Sequence, residues 1–270
     1  EQGIDWSKQN VHLVVGADWV PESLRSYFGS ILNTDWGRPE RGLIVCTMGI
    51  CELDTVLFHD SLSTIKIRRS ADQDSVFCRD LFGDVKACPE LLHYYPHKSF
   101  LETISENNGP PQCVFSMLDK SRVIPLMRYN SKDVGGIVSY NKLKGILEKH
   151  NRSDLLPDLK VPLVAIGGRL KSGITINDQN ITQEEVRSVL YSDFALAGKT
   201  TGYFLMKNEH NHFVLEIQLK EKVPATPELR EKFHNLLGRL PLEPEVKLLS
   251  FYEFTSPLVI NYERKFRHVF

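Results

Sequence analysis

Residues 161–190, VPLVAIGGRLKSGITINDQNITQEEVRSVL, change character midway, and that change decides the fold. The segment opens on an apolar run, VPLVAI, which reads as a buried strand emerging from the Pro-punctuated loop LPDLKVP. Gly167-Gly168-Arg169 then reads as a polar turn, followed by a short strand, ITI, and a helix. That helix starts at Thr182, whose hydroxyl can accept from an orphan N–H of the first turn. Glu185, three residues on, can reach back in the manner of a capping box. A domain boundary is therefore expected at the turn, dividing residues 1–168 from 169–270.

Downstream, two strands (GYFLMKN and HFVLEIQL) precede a helix with a Thr-Pro start, TPELREKFHNLLGRL, and a last strand, EVKLLSF. These elements make a small α+β domain. Upstream, Val11–Val15 reads as a strand broken at Gly16, and a helix starts near Pro21-Glu22 with Leu24, Tyr27, Phe28 and Ile31 on one face. This is a strand–turn–helix unit of α/β type. GLIVCTMGICELD follows as a second buried strand. Residues 56–69, 99–104 and 113–118 read as strands, the last two joined by the turn-rich SENNGPPQ, and NKLKGILEKHN as a helix with Leu143, Ile146 and Leu147 inward. The expected fold is thus α/β and α+β, with a mixed, β-rich first part and a small second domain.

Composition narrows the function classes. At 270 residues the chain holds one large or two ordinary domains, at about 100–200 residues each. Its 33 Lys+Arg balance 34 Asp+Glu, so no global field gathers nucleic acid or an anionic membrane. No apolar run approaches the ~20 residues of a membrane span, and the N-terminal residues lack the pattern of a secretion signal. Five cysteines, odd in number and without a framework spacing, read as reduced thiols in a cytoplasmic protein. Cys78, Cys88 and His93 lack the short paired spacing of a zinc site, and His93, His97, His210 and His212 read as surface or strand-end histidines.

The stretch 124–135, IPLMRYNSKDVG, runs from an apolar approach into crowded polar residues ending in Asp133. An Asp at a strand end before a Val-Gly pair can simply shape a turn. It can equally offer two carboxylate oxygens to a diol such as ribose. Three other segments bear on the choice. PLMRYNSKDVG resembles the PLIRYRTGDLG-type segment of adenylate-forming enzymes, the superfamily of acyl-CoA synthetases, peptide-synthetase adenylation domains and luciferases. TMGICEL is similar to that family's YGxTE stretch, and IGGRLKSGITINDQNITQEEVRSVL to GRxDDxIKxxGxxVxPxEIExxL. INYERKFRHVF is similar to the Lys-bearing tail of the phenylacetate-CoA ligase and CapK-like branch. All four occur in the family's order.

The resemblance implies an ATP-dependent acyl-activating enzyme that uses ATP, Mg2+ and CoA on a carboxylic acid. Gly16, Ala17 and Asp18 fall at the adenine-pocket turn; Met48, Gly49, Ile50 and Cys51 at the stretch along the adenine and acyl-adenylate. Glu52 would help hold Mg2+, a hard cation suited to carboxylate oxygen. Asp133 would bind the ribose hydroxyls, Arg169 would sit beside the nucleotide, Lys171 takes the hinge position, and Lys265 would neutralise charge as carboxylate attacks the α-phosphate. The physical logic is independent of the family: a carboxylate brought against a polyphosphate needs metal, cations and placement more than a covalent nucleophile.

Several residues depart from the pattern. Met48 stands where an aromatic is expected, and Asn130 and Lys132 replace the usual Arg and Gly. No TSGTTGxPK-type phosphate loop occurs in these residues, so the chain reads as the C-terminal part of a longer enzyme and is not expected to adenylate alone. A degenerate nucleotide- or partner-binding relative, and acyl transfer to a protein thiol instead of CoA, are the alternatives. Cys51 as the acceptor has no His neighbour in sequence and reads as a small buried side chain.

Overall fold

The structure, a computed structural model, describes residues 3–16, 19–34, 39–50, 54–106, 109–118, 126–169 and 173–254. It divides into two compact units, Glu1–Leu170 and Lys171–Phe270.

The first unit runs β1 (Leu13–Gly16), α1 (Glu22–Leu32), β2 (Ile44–Ile50), β3 (Asp54–His59), α2 (Leu62–Asp72), α3 (Ser75–Phe82), β4 (Glu90–His93), β5 (Ser99–Ile104), β6 (Gln112–Met117), β7 (Tyr129–Val138), α4 (Tyr140–Lys149) and β8 (Leu163–Arg169). Its strands form one eight-stranded sheet in the order β1-β2-β3-β4-β8-β7-β6-β5. Only β1 and β2, joined across α1, pair in parallel; the other neighbours are antiparallel. Leu91, Val138, Leu143, Leu147 and Leu163 form a core with Ile67, Phe77 and Leu81, so α2, α3 and α4 pack on β4, β7 and β8.

Residues 56–69 correct the strand reading. Only the first part is strand, and the chain turns at Asp60 into α2, capped by Ser61. Ser61 Oγ accepts from Thr64 N, and Ser61 N donates to Thr64 Oγ1 at 2.8 Å. The box uses Thr at the position where Glu or Gln is usual, which hid the helix start. Helix α1 differs in its buried face: Ile31 is exposed, while Glu22 and Arg25 are buried with Leu24.

The second unit runs β9 (Gly173–Ile176), β10 (Gln179–Thr182), α5 (Gln183–Leu190), α6 (Phe194–Ala197), β11 (Thr200–Glu209), β12 (His212–Leu219), α7 (Pro227–Leu237) and β13 (Glu245–Leu249). The expected capping box is present: Glu185 N donates to Thr182 Oγ1 at 3.2 Å, and Thr182 N to Glu185 Oε2 at 2.9 Å. Thr226 caps α7 ahead of Pro227. Strand β10, unread in the sequence, closes a hairpin on β9, and β11-β12-β13 form a separate sheet. Ile181, Val186, Phe204, Leu215 and Phe233 belong to one core, which holds the two sheets and α5 and α7 together.

Candidate functional site

Asp133 lies inside β7 rather than at a strand end, at a break in the ladder. On the β6 side the register slips between the Gln112–Val134 and Val114–Asn130 pairs; on the β8 side it slips between Asp133–Arg169 and Gly135–Ile166. Residues 131–133 therefore bulge. Lys132 takes φ +63°, the left-handed region that glycine adopts most readily. Gly135 resumes the ladder so closely that a Cβ would lie 2.0 Å from the Ala165 carbonyl oxygen.

The bulge leaves Asp133 6% exposed. Its Oδ1 accepts from Arg169 Nε at 3.1 Å, the two residues being direct cross-strand partners. Its Oδ2 is buried and has no hydrogen-bond partner among the described residues. A half-satisfied buried carboxylate is costly, and hydroxyl donors such as a vicinal diol are the chemistry that would complete it. Arg169 is more than half exposed and anchors Asp133 through one nitrogen, so among the described residues its guanidinium remains accessible to an anion. Nearby Cys113 is fully buried; burial first and the Asp133 charge second push its thiol up to about 12, so it stays neutral.

Gly167-Gly168-Arg169 is not a turn: β8 continues through Arg169, with Gly168 at φ +101°. Arg169 thus belongs to the first unit, and the division falls between Leu170 and Lys171.

A second group of expected residues gathers on β1 and β2. Gly16 pairs with Thr47, and a Cβ at Gly16 would lie 2.8 Å from Thr47 Oγ1. Met48, partly buried, pairs with Phe58 of β3; Gly49 sits in the slip between the Met48–Phe58 and Ile50–Asp54 pairs, and Ile50 is buried. Strands β3 and β4 stand between this group and Asp133–Arg169, so the pairing register itself brings together Gly16 with Met48–Ile50, and Asp133 with Arg169, but not the two groups. Ala17, Asp18, Cys51, Glu52, Lys171 and Lys265 lie outside the described residues.

The chain leaving Gly16 returns through a buried charged cluster that sequence reasoning missed. Val20 N donates to Glu90 Oε1 at 3.0 Å, and Arg68 Nη2 donates to Val20 O at 2.7 Å. Both polar atoms of Val20 are thereby held by side chains from β4 and α2. Arg68 Nη1 and Arg25 Nε lie 3.1 and 3.0 Å from Glu22 Oε1, Arg69 Nε lies 3.0 Å from Glu22 Oε2, and Arg25 also reaches Asp60 at 2.8 Å. Burial pushes the Glu22 carboxyl up, but the three guanidiniums outweigh it and hold its pKa below the ordinary value. Burial dominates at Glu90 and Asp60, whose pKa values are raised despite Arg68 and Arg25. Charged residues in a helix normally signal a solvated face, so no local pattern marks this cluster. A cavity of about 30 Å³ beside it, lined by Arg25, Gly29, Ile44 and Arg69 among others, is far too small for a nucleotide.

His93, read as a surface or strand-end residue, ends β4 but is buried. Its Nε2 lies 2.8 Å from Ser61 Oγ, while His59 Nε2 lies 3.1 Å from the Tyr95 hydroxyl. Among the described residues, no group of three or more His, Cys, Asp or Glu could hold a metal ion, and no helix is long and apolar enough to cross a membrane.

No family model and no curated protein matches the chain. Solved structures do. A 2-hydroxyisobutyryl-CoA ligase in its postadenylation state, in complex with R3-HIB-AMP, is similar at TM-score 0.59 and 12% identity, over 95% of this chain and 48% of the ligase. The anthranilate CoA ligase AuaEII, in complex with anthranoyl-AMP, is similar at TM-score 0.50 and 11% identity, over 87% and 40%. A structure from work on fatty acyl-adenylate ligases of E. coli and L. pneumophila matches at TM-score 0.50 and 12% identity, over 91% and 45%. The fold is the one these adenylate-forming ligases have, mixed α/β with a large multistranded sheet. The chain spans about half the length of the structures it matches.

Proposed function

We propose that this chain is the C-terminal, nucleotide-holding part of an ATP-dependent acyl-activating enzyme of the phenylacetate-CoA ligase or CapK-like branch. The carboxylate oxygen of the acid attacks the α-phosphorus of ATP, pyrophosphate leaves, and a thiol, CoA in the leading reading, then attacks the acyl carbon and releases AMP. The observation that carries this is Asp133: a buried carboxylate with one oxygen fixed by Arg169 and the other without a donor among the described residues. In this reading Asp133 takes the ribose hydroxyls, Arg169 supplies positive charge beside the phosphate, and Gly16, Ala17, Asp18 and Met48–Cys51 line the adenine and acyl group. Lys265 neutralises charge in the adenylation step, Lys171 is the hinge at the division between the two units, and Glu52 helps hold Mg2+. That metal supplies charge neutralisation on the phosphates. The thiols Cys46, Cys78, Cys88 and Cys113 are free, which fits a cytoplasmic setting.

Exchange of pyrophosphate into ATP by the intact protein, over a panel of carboxylic acids, tests the reading. Acid-dependent exchange that Lys265→Ala depresses at least ~100-fold is expected; unchanged exchange in that variant removes Lys265 from the mechanism. The departures at Met48, Asn130 and Lys132 favour one second reading, a relative that binds nucleotide without turnover. ATP binding with no pyrophosphate release from any acid would select it.

A further inference from the structure

Asp133 is placed by a backbone bend that its own residues suit poorly. Lys132 sits at φ +63°, where a side chain crowds the neighbouring carbonyl. The bulge also takes Lys132 out of register with both neighbouring strands and Asp133 out of register with β6. Two side chains accept from their amides: Asn130 Oδ1 from Lys132 N at 2.9 Å, and Ser131 Oγ from Asp133 N at 3.3 Å. Asn130 is itself fixed, because its Nδ2 donates to Oε1 of Gln112 at 3.1 Å, and Gln112 is 2% exposed at the start of β6. An Asn side chain that accepts from the amide two residues on makes a local turn. Here it closes the turn that a glycine would adopt without help.

We infer that Asn130, keyed into Gln112, is the positioning residue that sets the Asp133 carboxylate for a nucleotide's ribose. This rests on the reading of Asp133 as the nucleotide ligand. Asn130 does its work through Lys132 N, not by touching the nucleotide. Two consequences separate that role from a merely structural one: an acceptor at 130 suffices, and a glycine at 132 makes the acceptor dispensable.

Calorimetric titration of the intact protein with AMP, well below its melting temperature, tests this. Asn130→Ala is expected to weaken AMP binding about tenfold, as for loss of one ordering hydrogen bond. Asn130→Asp, which keeps the acceptor, should stay within about threefold of wild type. The double variant Asn130→Ala, Lys132→Gly should recover most of the loss. Gln112→Ala, which frees Asn130 without removing it, is the milder second variant if Asn130→Ala does not fold, and should weaken AMP about threefold. Unchanged affinity in Asn130→Ala or Gln112→Ala, with Asp133→Asn weakened, overturns this inference alone. Loss in Asn130→Ala that glycine at 132 does not restore overturns it as well. Absence of AMP binding by the wild type, or no effect of Asp133→Asn, overturns the nucleotide reading and this inference with it.

Discussion

Gly135 and Gly136 are neighbours with opposite tolerances. A Cβ on Gly135 would collide with the Ala165 carbonyl at 2.0 Å, whereas one on Gly136 would meet Thr103 Cγ2 at an ordinary 3.6 Å. Gly135→Ala must push β7 off β8, and a loss of more than about 3 kcal/mol is expected, read as a drop in the urea midpoint. Gly136→Ala should change that midpoint little; equal costs would contradict the close approach. The sequence marked Asp133 and its glycine as special but left open what they do, because an Asp before a Val-Gly pair serves turns as readily as ligands. Burial, and an Oδ2 without a partner among the described residues, bear on that choice, and both depend on strands β6 and β8, which are remote in sequence. The resemblance set Asp133 and Arg169 each beside a nucleotide, but their direct pairing, 36 residues apart in sequence, was not read. The Asn130 turn had a local signal, an Asn two residues before the bend, that went unread.

At the scale of elements, α2 shows where patterning fails. Its Ile65 and Ile67 continue the β-branched and aromatic run of β3, and its buried Arg68 breaks the rule that charge lies outside. Arg68 is kept inside by Glu22, Glu90 and the carbonyls of Val20 and Cys88. Arg68→Met would leave Glu90 without its principal cation and should cost about 3 kcal/mol or more in chemical unfolding; a loss below about 1 kcal/mol would mean the cluster is not electrostatically buried. At the ends of β3 and β4, burial first and His59 second hold the His93 pKa below its ordinary 6.5. The unfolded chain therefore takes up this proton first as pH falls. The stability His93 contributes is intact above 6.5 and is lost as pH drops through that value toward the lower folded-state pKa. His93→Asn should flatten the fall in melting temperature between about pH 7 and about pH 5.5 relative to wild type; an unchanged slope contradicts it. Elements with strong local signals read correctly: the Thr182–Glu185 box and the Thr226-Pro227 start need no tertiary context.

Over the whole molecule, each unit has a core of its own, one around Leu91, Leu143 and Leu163 and one around Phe204, Leu215 and Phe233. Residues 171–270 expressed alone should melt cooperatively, because a domain with its own core can fold by itself; a broad, non-cooperative melt by circular dichroism would contradict that independence. The fold class was legible because four segments resemble one family's motifs in order, although identity to the solved structures of that fold is only 11 to 12%. Packing tolerates that divergence so long as apolar periodicity and turn chemistry survive. The nucleotide seat is the central claim, and one titration addresses it most directly: AMP against the intact protein and its Asp133→Ala variant. Loss of a carboxylate that accepts two hydroxyls should weaken binding at least about thirtyfold, with the fold kept by circular dichroism. Equal affinity in the two proteins would contradict the account.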